Sequence, residues 1–141
     1  MDNLSVNVQM PNNSTNHCRF DGVKVLYYLS KKEEALPILY DTLKKSNDEA
    51  EICEALYISD RMIENGVQGV DKMYPAFSRF NDTRSPNIQT FLAGVYRKTK
   101  VPDAFGPLVS MLIKNTINPI DPKPPFDPNE EIGGAILDYL A

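Results

Sequence analysis

The chemistry open to this chain is limited first by its histidine and cysteine content. The sequence has one histidine, His17, and two cysteines, Cys18 and Cys53. No group of Cys, His, Asp and Glu has the spacing of a zinc site, so we expect neither a structural nor a catalytic metal. His17 lies in a polar N-terminal stretch that we expect to be a flexible arm, and a mobile arm holds a catalytic group poorly. Nucleophilic catalysis by a Ser–His or Cys–His pair therefore lacks a credible base, and we expect no cofactor.

Acidic residues could instead do general acid–base chemistry if two of them shared a site. They cluster in three places, each at the predicted start of a helix: Glu33-Glu34, Asp48/Glu49/Glu51 and Glu130-Glu131. Carboxylates interact favourably with the positive end of a helix dipole, which is a sufficient structural reason for these positions. A catalytic carboxylate pair remains the alternative interpretation.

Phosphate binding is not predicted from either of the glycine-containing segments. Gly66-Val67-Gln68-Gly69 and Gly133-Gly134 lack the strand, the spacing and the lysine that a phosphate loop needs. We interpret the first segment as a connector and the second as a defect that weakens a helix.

Overall composition favours one acidic, helical domain. The chain has 141 residues, 42% of them hydrophobic, and a formal net charge of -4. An acidic balance argues against nucleic acid as the main partner. A basic edge is the weaker alternative, and its residues would be Arg79, Arg84, Arg97, Lys98 and Lys100.

The sequence also predicts where in the cell the protein is located. The N-terminus, Met1 to Leu4, has neither the positive region nor the apolar core of a secretory signal, and no stretch approaches a membrane span. We therefore expect a cytoplasmic protein without a membrane partner, in which Cys18 and Cys53 are reduced thiols.

A short phrase that recurs three times indicates the architecture. It reads Leu36-Pro37-Ile38-Leu39, then Tyr74-Pro75-Ala76-Phe77, then Gly106-Pro107-Leu108-Val109. Each copy lies near the start of a helical pattern, where proline's missing N–H costs nothing. Polar breaks at 46–48 and 81–83 separate the first two copies from a second helix. A repeated helix–turn–helix unit is typical of a stacked helical array.

The second helices carry the clearest pattern. Asp48 is a good N-cap for one and Ser85 for the next, where Pro86 takes the first helical position. Core positions of the two helices match at an offset of 36 residues: Ile52 with Ile88, Leu56 with Leu92, and Ser59 with Val95.

The whole chain then divides into an arm and one domain. We expect residues 1–18 to be the flexible arm and residues 19–141 a helical-repeat domain of about six to seven helices. A Pro-rich connector at 116–128 leads to a C-terminal helix at 129–140. We expect that last helix to dock on the end of the array, because an array end otherwise leaves core surface wet.

Residues 20–115 resemble the HEAT-like family of helical repeats, the armadillo-type α-solenoids. The resemblance rests on the Pro-apolar-apolar phrases and on the Asn-Asp turns before the second helices. It implies an all-α fold, a short α-α superhelix. Two departures leave an irregular helical bundle open: Phe91 stands where the matching position of the earlier helix has Ala55, and the Pro-rich connection is atypical.

In such proteins the second helices line a concave wall that binds a protein or peptide. The resemblance places eight residues on the outward side: Tyr57, Asp60, Arg61 and Glu64, then Ala93, Tyr96, Arg97 and Lys100. Arg61 and Arg97 are equivalent at the offset of 36, so their guanidinium groups could form a ladder. Tyr and Arg are residue types that anchor interfaces, although a charged face is also what a solvated surface looks like.

Three functions follow as hypotheses. The first is a non-enzymatic adaptor or scaffold that binds a protein or peptide on the second-helix side. The alternative is a small-molecule binder or enzyme that uses a carboxylate and tyrosine groove, formed by Asp60, Tyr57 and Tyr96. The third is an assembly subunit, which could form a homodimer through its terminal helix.

Overall fold

A computed structural model describes residues 20–141, and within that range it is helical, without a strand. The predictions for residues 1–18, including those on His17 and Cys18, lie outside the described residues. Within 20–141 there are six helices of ten or more residues and a seventh of one turn. They are α1 (Gly22–Lys31), α2 (Leu36–Lys45), α3 (Glu49–Glu64), α4 (Tyr74–Phe77), α5 (Pro86–Thr99), α6 (Phe105–Ile117) and α7 (Pro128–Leu140). The all-α class is therefore confirmed. None of these helices has both the length and the apolar character to cross a membrane.

Four helices begin at a side chain that accepts a hydrogen bond from the first turn. The capping residues are Asp21 for α1, Asp48 for α3, Ser85 for α5 and Asp127 for α7. Of the four caps, Asp48 and Ser85 were predicted from the sequence. Each satisfies a backbone N–H that the helix itself cannot, which typically contributes about 1 kcal/mol.

The segment 70–80, where the second Pro phrase predicted a helix, is divided into three short pieces. A 3₁₀ turn at Val70–Met73 precedes α4, and another at Ser78–Phe80 follows it. Pro75 lies in the first turn of α4, as predicted, where no intrahelical N–H bond is lost. Val70, Met73, Phe77 and Phe80 are all buried, so spacings of three and four residues keep one apolar side turned to the core.

The helices contact one another in an ordered way. Four of them touch in chain order, α1 with α3, α3 with α5 and α5 with α7. The helix α2 contacts α3 and α4, and α6 contacts α7. The six core positions matched at the offset of 36 are all buried: Ile52, Leu56, Ser59, Ile88, Leu92 and Val95. Cys53 is wholly buried beside them in α3.

The last connector is shorter than the predicted 116–128. The helix α6 continues to Ile117 because the N–H of Asn118 still donates to the carbonyl of Lys114. The helix α7 begins at Pro128, one residue before the predicted start, so the connector spans 118–127. Ile132 and Ala135 are buried where α7 packs on α5 and α6, which agrees with the expected docking of this helix.

Candidate interaction surface

The predicted interaction residues of α3 and α5 are joined by ion pairs between the two helices. Lys98 Nζ of α5 lies 2.5 Å from Asp60 Oδ1 of α3 and also bonds to Glu64. Arg61 pairs with Glu64 one turn along its own helix. The four side chains form one chain of alternating charge, Arg61–Glu64–Lys98–Asp60. Lys98 is central to it and was not among the predicted site residues.

Arg97 continues the network from α5 to α7. Its Nε donates to Asp138 Oδ2 at 2.5 Å, and its Nη1 to Glu131 Oε2 at 3.4 Å. The two second helices, α3 and α5, and the C-terminal helix α7 are thereby connected on one side of the molecule. We call this side the second-helix face, consisting of Tyr57, Asp60, Arg61, Glu64, Arg97, Lys98, Lys100, Glu131 and Asp138.

Two glycines make room for these ion pairs. A Cβ added at Gly134 would lie 2.8 Å from Arg97 Nη1, and one at Gly94 would lie 3.3 Å from Asp60 Oδ2. That Gly133-Gly134 weakens the helix stays a prediction: α7 runs through both residues, and Gly134 also leaves space for the Arg97 guanidinium.

Tyr96 does not lie on the face, contrary to expectation. Its side chain is wholly buried, its hydroxyl donates to Asn81 Oδ1 at 2.6 Å, and its ring lies 5.8 Å from that of Tyr74. Burial raises its pKa well above the usual value. Ala93 is buried as well. The reason is that α5 contacts α3, α7 and the 78–80 turn, so little of its surface faces outward.

The expected ladder of Arg61 and Arg97 is not formed either. Arg61 bonds to Glu64 on its own helix, whereas Arg97 reaches across to α7. Carboxylates of opposite charge compete better for a guanidinium than a second guanidinium does, since like charges repel. The two arginines thus belong to different ion pairs on one face.

Tyr57 lies on the face but is partly covered. Phe20, which precedes α1, stacks on its ring with centroids 5.0 Å apart and also contacts Phe91, 5.5 Å away. Phe20 is only 3% exposed. Phe91, which stands where the matching position of α3 has Ala55, therefore packs against the ring of Phe20.

Lys100 ends α5 in a left-handed conformation, with φ of 53°. Its N–H donates to the carbonyl of Tyr96 and closes the last helical turn. The residue is exposed at the corner of the face.

Contacts within the network shift the pKa values of its members. Burial raises the pKa of Asp60, against the hydrogen bond from Lys98, which lowers it. The same lysine lowers the pKa of Glu64 by its hydrogen bond. Burial lowers the pKa of Lys98, but its bonds to the two carboxylates outweigh burial, so the net shift is upward. The face presents both signs of charge in alternation.

Arg79 and Arg84, the other residues of the predicted basic edge, donate hydrogen bonds at the carboxyl ends of helices. Arg79 Nη1 donates to the carbonyls of Leu43 and Ser46, 2.9 and 2.7 Å away, at the end of α2. Arg84 Nη2 donates to the Asn118 carbonyl, 2.5 Å away, at the end of α6. Cations are favoured at these carboxyl ends. The loop that follows α4 thereby binds neighbours on both sides of itself.

A buried amide cluster supports the same region. Asn115, 6% exposed, accepts from Arg84 Nη1 at 2.9 Å and donates to Gln89 Oε1 at 2.8 Å and to Asn129 Oδ1 at 2.9 Å. Three helices, α5, α6 and α7, meet in this cluster. The sequence did not indicate this cluster, because each of its three amides lies in a different helix.

Three cavities of useful size lie away from the groove suggested for small-molecule chemistry. One of about 370 Å³ and one of about 320 Å³ are lined largely by connector residues such as Ile120, Lys123 and Phe126. A third, of about 350 Å³, lies around Arg79 and Ile88. Tyr57, Asp60 and Tyr96 line none of these three. Among residues 20–141, no group of three or more His, Cys, Asp or Glu side chains could hold a metal ion.

Comparison with known proteins gives no relative to argue from. No protein-family model matches the chain, and no curated protein or solved structure matches it either. Function is therefore argued from the second-helix face alone.

Proposed function

We propose that this protein is a non-enzymatic interaction module, an adaptor or scaffold for a protein or peptide, built as a short HEAT-like superhelix. The order of helix contacts supports the repeat: α1, α3, α5 and α7 touch in series, and α2 touches α4. A cytoplasmic location remains part of the same proposal.

The observation that carries the proposal is the pair of ion-pair clusters on the second-helix face, one between α3 and α5 and one between α5 and α7. The two clusters tie α3, α5 and α7 together, yet Arg61, Glu64, Arg97 and Asp138 keep 37–40% of their side chains exposed. Charged groups already held in position lose less conformational entropy on binding, so a pre-ordered face binds at lower cost. Its alternating charges suit an extended peptide or a protein surface that itself alternates acidic and basic residues.

A charge-reversal pair tests this assignment. Arg61→Glu with Lys100→Glu changes the face without breaking the pairs that Lys98 and Arg97 make between helices. Lys44→Glu with Lys72→Glu is the matched control, because it makes the same change in net charge at exposed residues of α2 and the 70–73 turn. We expect affinity capture from the native lysate to retain the same proteins with wild type and control, and to lose specific ones with the face variant.

The readout has to be separated from loss of structure. Circular dichroism and thermal unfolding of both variants should match the wild type. If every captured protein binds equally well to the face variant, the surface assignment is wrong. If the control loses the same proteins, binding depends on net charge and not on this face.

A further inference from the structure

The two ends of the helix series expose apolar stripes. On α1 the stripe consists of Val23, Leu26 and Tyr27, whose exposed fractions are 48%, 50% and 52%. On α7 it consists of Gly133, Leu137 and Leu140, where the two leucines are 67% and 68% exposed. Spacings of three, four and seven residues put each set on one side of its helix. We call these sets the α1 stripe and the α7 stripe.

Both stripes lie where the series of contacts stops. Within the series α1, α3, α5 and α7, the inner helices α3 and α5 each have two neighbours, whereas α1 contacts α3 and α7 contacts α5 at its two ends. The exposed stripes are what a further helix of the series would cover. Exposed large apolar residues grouped in this way mark an interaction site more often than an isolated one does.

The charges beside the two stripes are opposite. The helix α1 contains Lys24 and Lys31 and no acidic residue, while α7 contains Glu130, Glu131 and Asp138 and no basic one. Lys24 is paired with Glu54, and Arg97 neutralises part of the α7 charge. Lys31 and Glu130 remain exposed, Lys31 one turn beyond Tyr27 and Glu130 one turn before Gly133.

Glycine in the α7 stripe adds a steric reason. A Cβ built on Gly133 would meet no atom within 4 Å, so the space above this residue is open. A bare backbone at the start of the stripe lets another helix approach closely there.

We propose that a second copy of this chain binds here, with its α1 stripe on the α7 stripe of the first. The contact continues the helix series from one molecule to the next. It is heterologous, since two different surfaces meet, so further copies can add, either until a ring closes or as an open filament. This self-association goes beyond the proposed partner binding and uses different surfaces.

The test combines one variant for each stripe. Leu26→Glu disables the α1 stripe and Leu137→Glu the α7 stripe. Ala50→Glu is the control, because it adds the same charge at an exposed residue of α3, which has neighbours on both sides. Each full-length protein is measured by light scattering after size exclusion over a range of concentrations, alone and as an equimolar mixture of the two stripe variants.

For wild type and Ala50→Glu we expect a mean mass that rises with concentration beyond two chains of 15.9 kDa. Each stripe variant alone should stay near one chain mass, with the concentration needed for association raised about tenfold or more. Their mixture should form a species of two chains and nothing larger, because only one intact α7 stripe and one intact α1 stripe can meet.

Other results overturn the proposal. If wild type stays at one chain mass at every concentration, the stripes do not bind each other. If Leu26→Glu still forms a two-chain species by itself, the contact is a symmetric one between α7 stripes. Equal masses for all four proteins would place the contact elsewhere on the molecule.

Discussion

Three tyrosine hydroxyls fix the region where α5 ends and α6 begins. Tyr96 donates to Asn81, Tyr74 to the carbonyl of Asp103 at 3.1 Å, and Tyr139 to the carbonyl of Val101 at 2.7 Å. The last of these bonds ties α7 to the segment that precedes α6. A tyrosine that buries its ring and bonds through its hydroxyl combines packing with a directional contact.

Tyr139 gives the protein a predictable response to alkaline pH. Burial raises its pKa from 10.0 to about 12. A folded-state pKa above the unfolded one means that its contribution to stability is complete below pH 10 and is lost as the pH rises toward 12. We expect Tyr139→Phe to lose about 1 kcal/mol at pH 8 and to flatten the decline above pH 10. Urea unfolding at closely spaced pH values measures both, and an unchanged slope would contradict the assignment.

The buried amide cluster should be costly to break. Asn115→Ala removes the N–H donor to the Gln89 and Asn129 side-chain oxygens, and Gln89 is buried, so we expect a loss of about 2–3 kcal/mol in the free energy of unfolding. Combining it with Gln89→Ala should cost less than the sum of the two single changes, because the two side chains share bonds. Additive losses in denaturant unfolding would show that the cluster does not act as a unit.

Single residues were predicted well from the sequence only where the cause is local. Asp48 and Ser85 cap helices because an oxygen acceptor next to a free N–H needs no tertiary information. Tyr96 was misplaced because its burial depends on Tyr74 and Asn81, which lie in another segment. Lys98 was missed because its partners are on a different helix.

At the scale of helices, the long elements follow from periodicity and the short ones do not. The helices α3 and α5 have capped starts and apolar positions that repeat over many turns. The 70–80 segment is too short for its period to separate α-helix from 3₁₀ turns. The apolar side of α7 was predictable, but its contact with Arg97 was not, because a glycine carries no sign of what lies over it.

The adjacent glycines of α7 offer a matched pair of substitutions. Gly133→Ala meets open space, so it should raise the free energy of unfolding by about 0.5–1 kcal/mol through helix propensity alone. Gly134→Ala gains the same propensity but pushes the Arg97 guanidinium away from Glu131 and Asp138, so we expect little gain or a net loss. Thermal unfolding at micromolar concentration compares the two.

The background of Arg97→Ala makes this comparison decisive. Once the guanidinium is gone, Gly134→Ala should stabilise as much as Gly133→Ala does. A persistent difference between the two alanines in that background would mean that something other than Arg97 limits position 134.

At the scale of the molecule, Phe20 ties the beginning of the described chain to the helix series. Its ring packs against both Tyr57 of α3 and Phe91 of α5, and so connects the segment before α1 to two helices. Phe20→Ala should cost about 2–4 kcal/mol, because it removes a buried ring from two aromatic contacts. Tyr27→Ala, at an exposed ring in α1, should change stability by less than about 1 kcal/mol. Comparable losses in chemical unfolding would mean that Phe20 is not an anchor.

How the whole chain is arranged follows only partly from its sequence. The recurrent Pro phrases correctly predicted helices, and the core positions matched at the offset of 36 are buried as expected. Nothing in those patterns indicated that Arg79 and Arg84, five residues apart, would bind the ends of α2 and α6. Bonds of that kind depend on where helices end in space, which a local pattern does not contain.

The complete burial of Cys53 has a consequence for reaction kinetics. A thiol reagent cannot reach a sulfur at 0% exposure, so it reacts only in the intervals when α3 has separated from its neighbours. In a chain whose Cys18 is replaced by serine, modification of Cys53 would therefore follow the opening rate of the middle of the helix series. Modification of Cys53 therefore reports an opening of α3 that scattering and binding experiments do not detect.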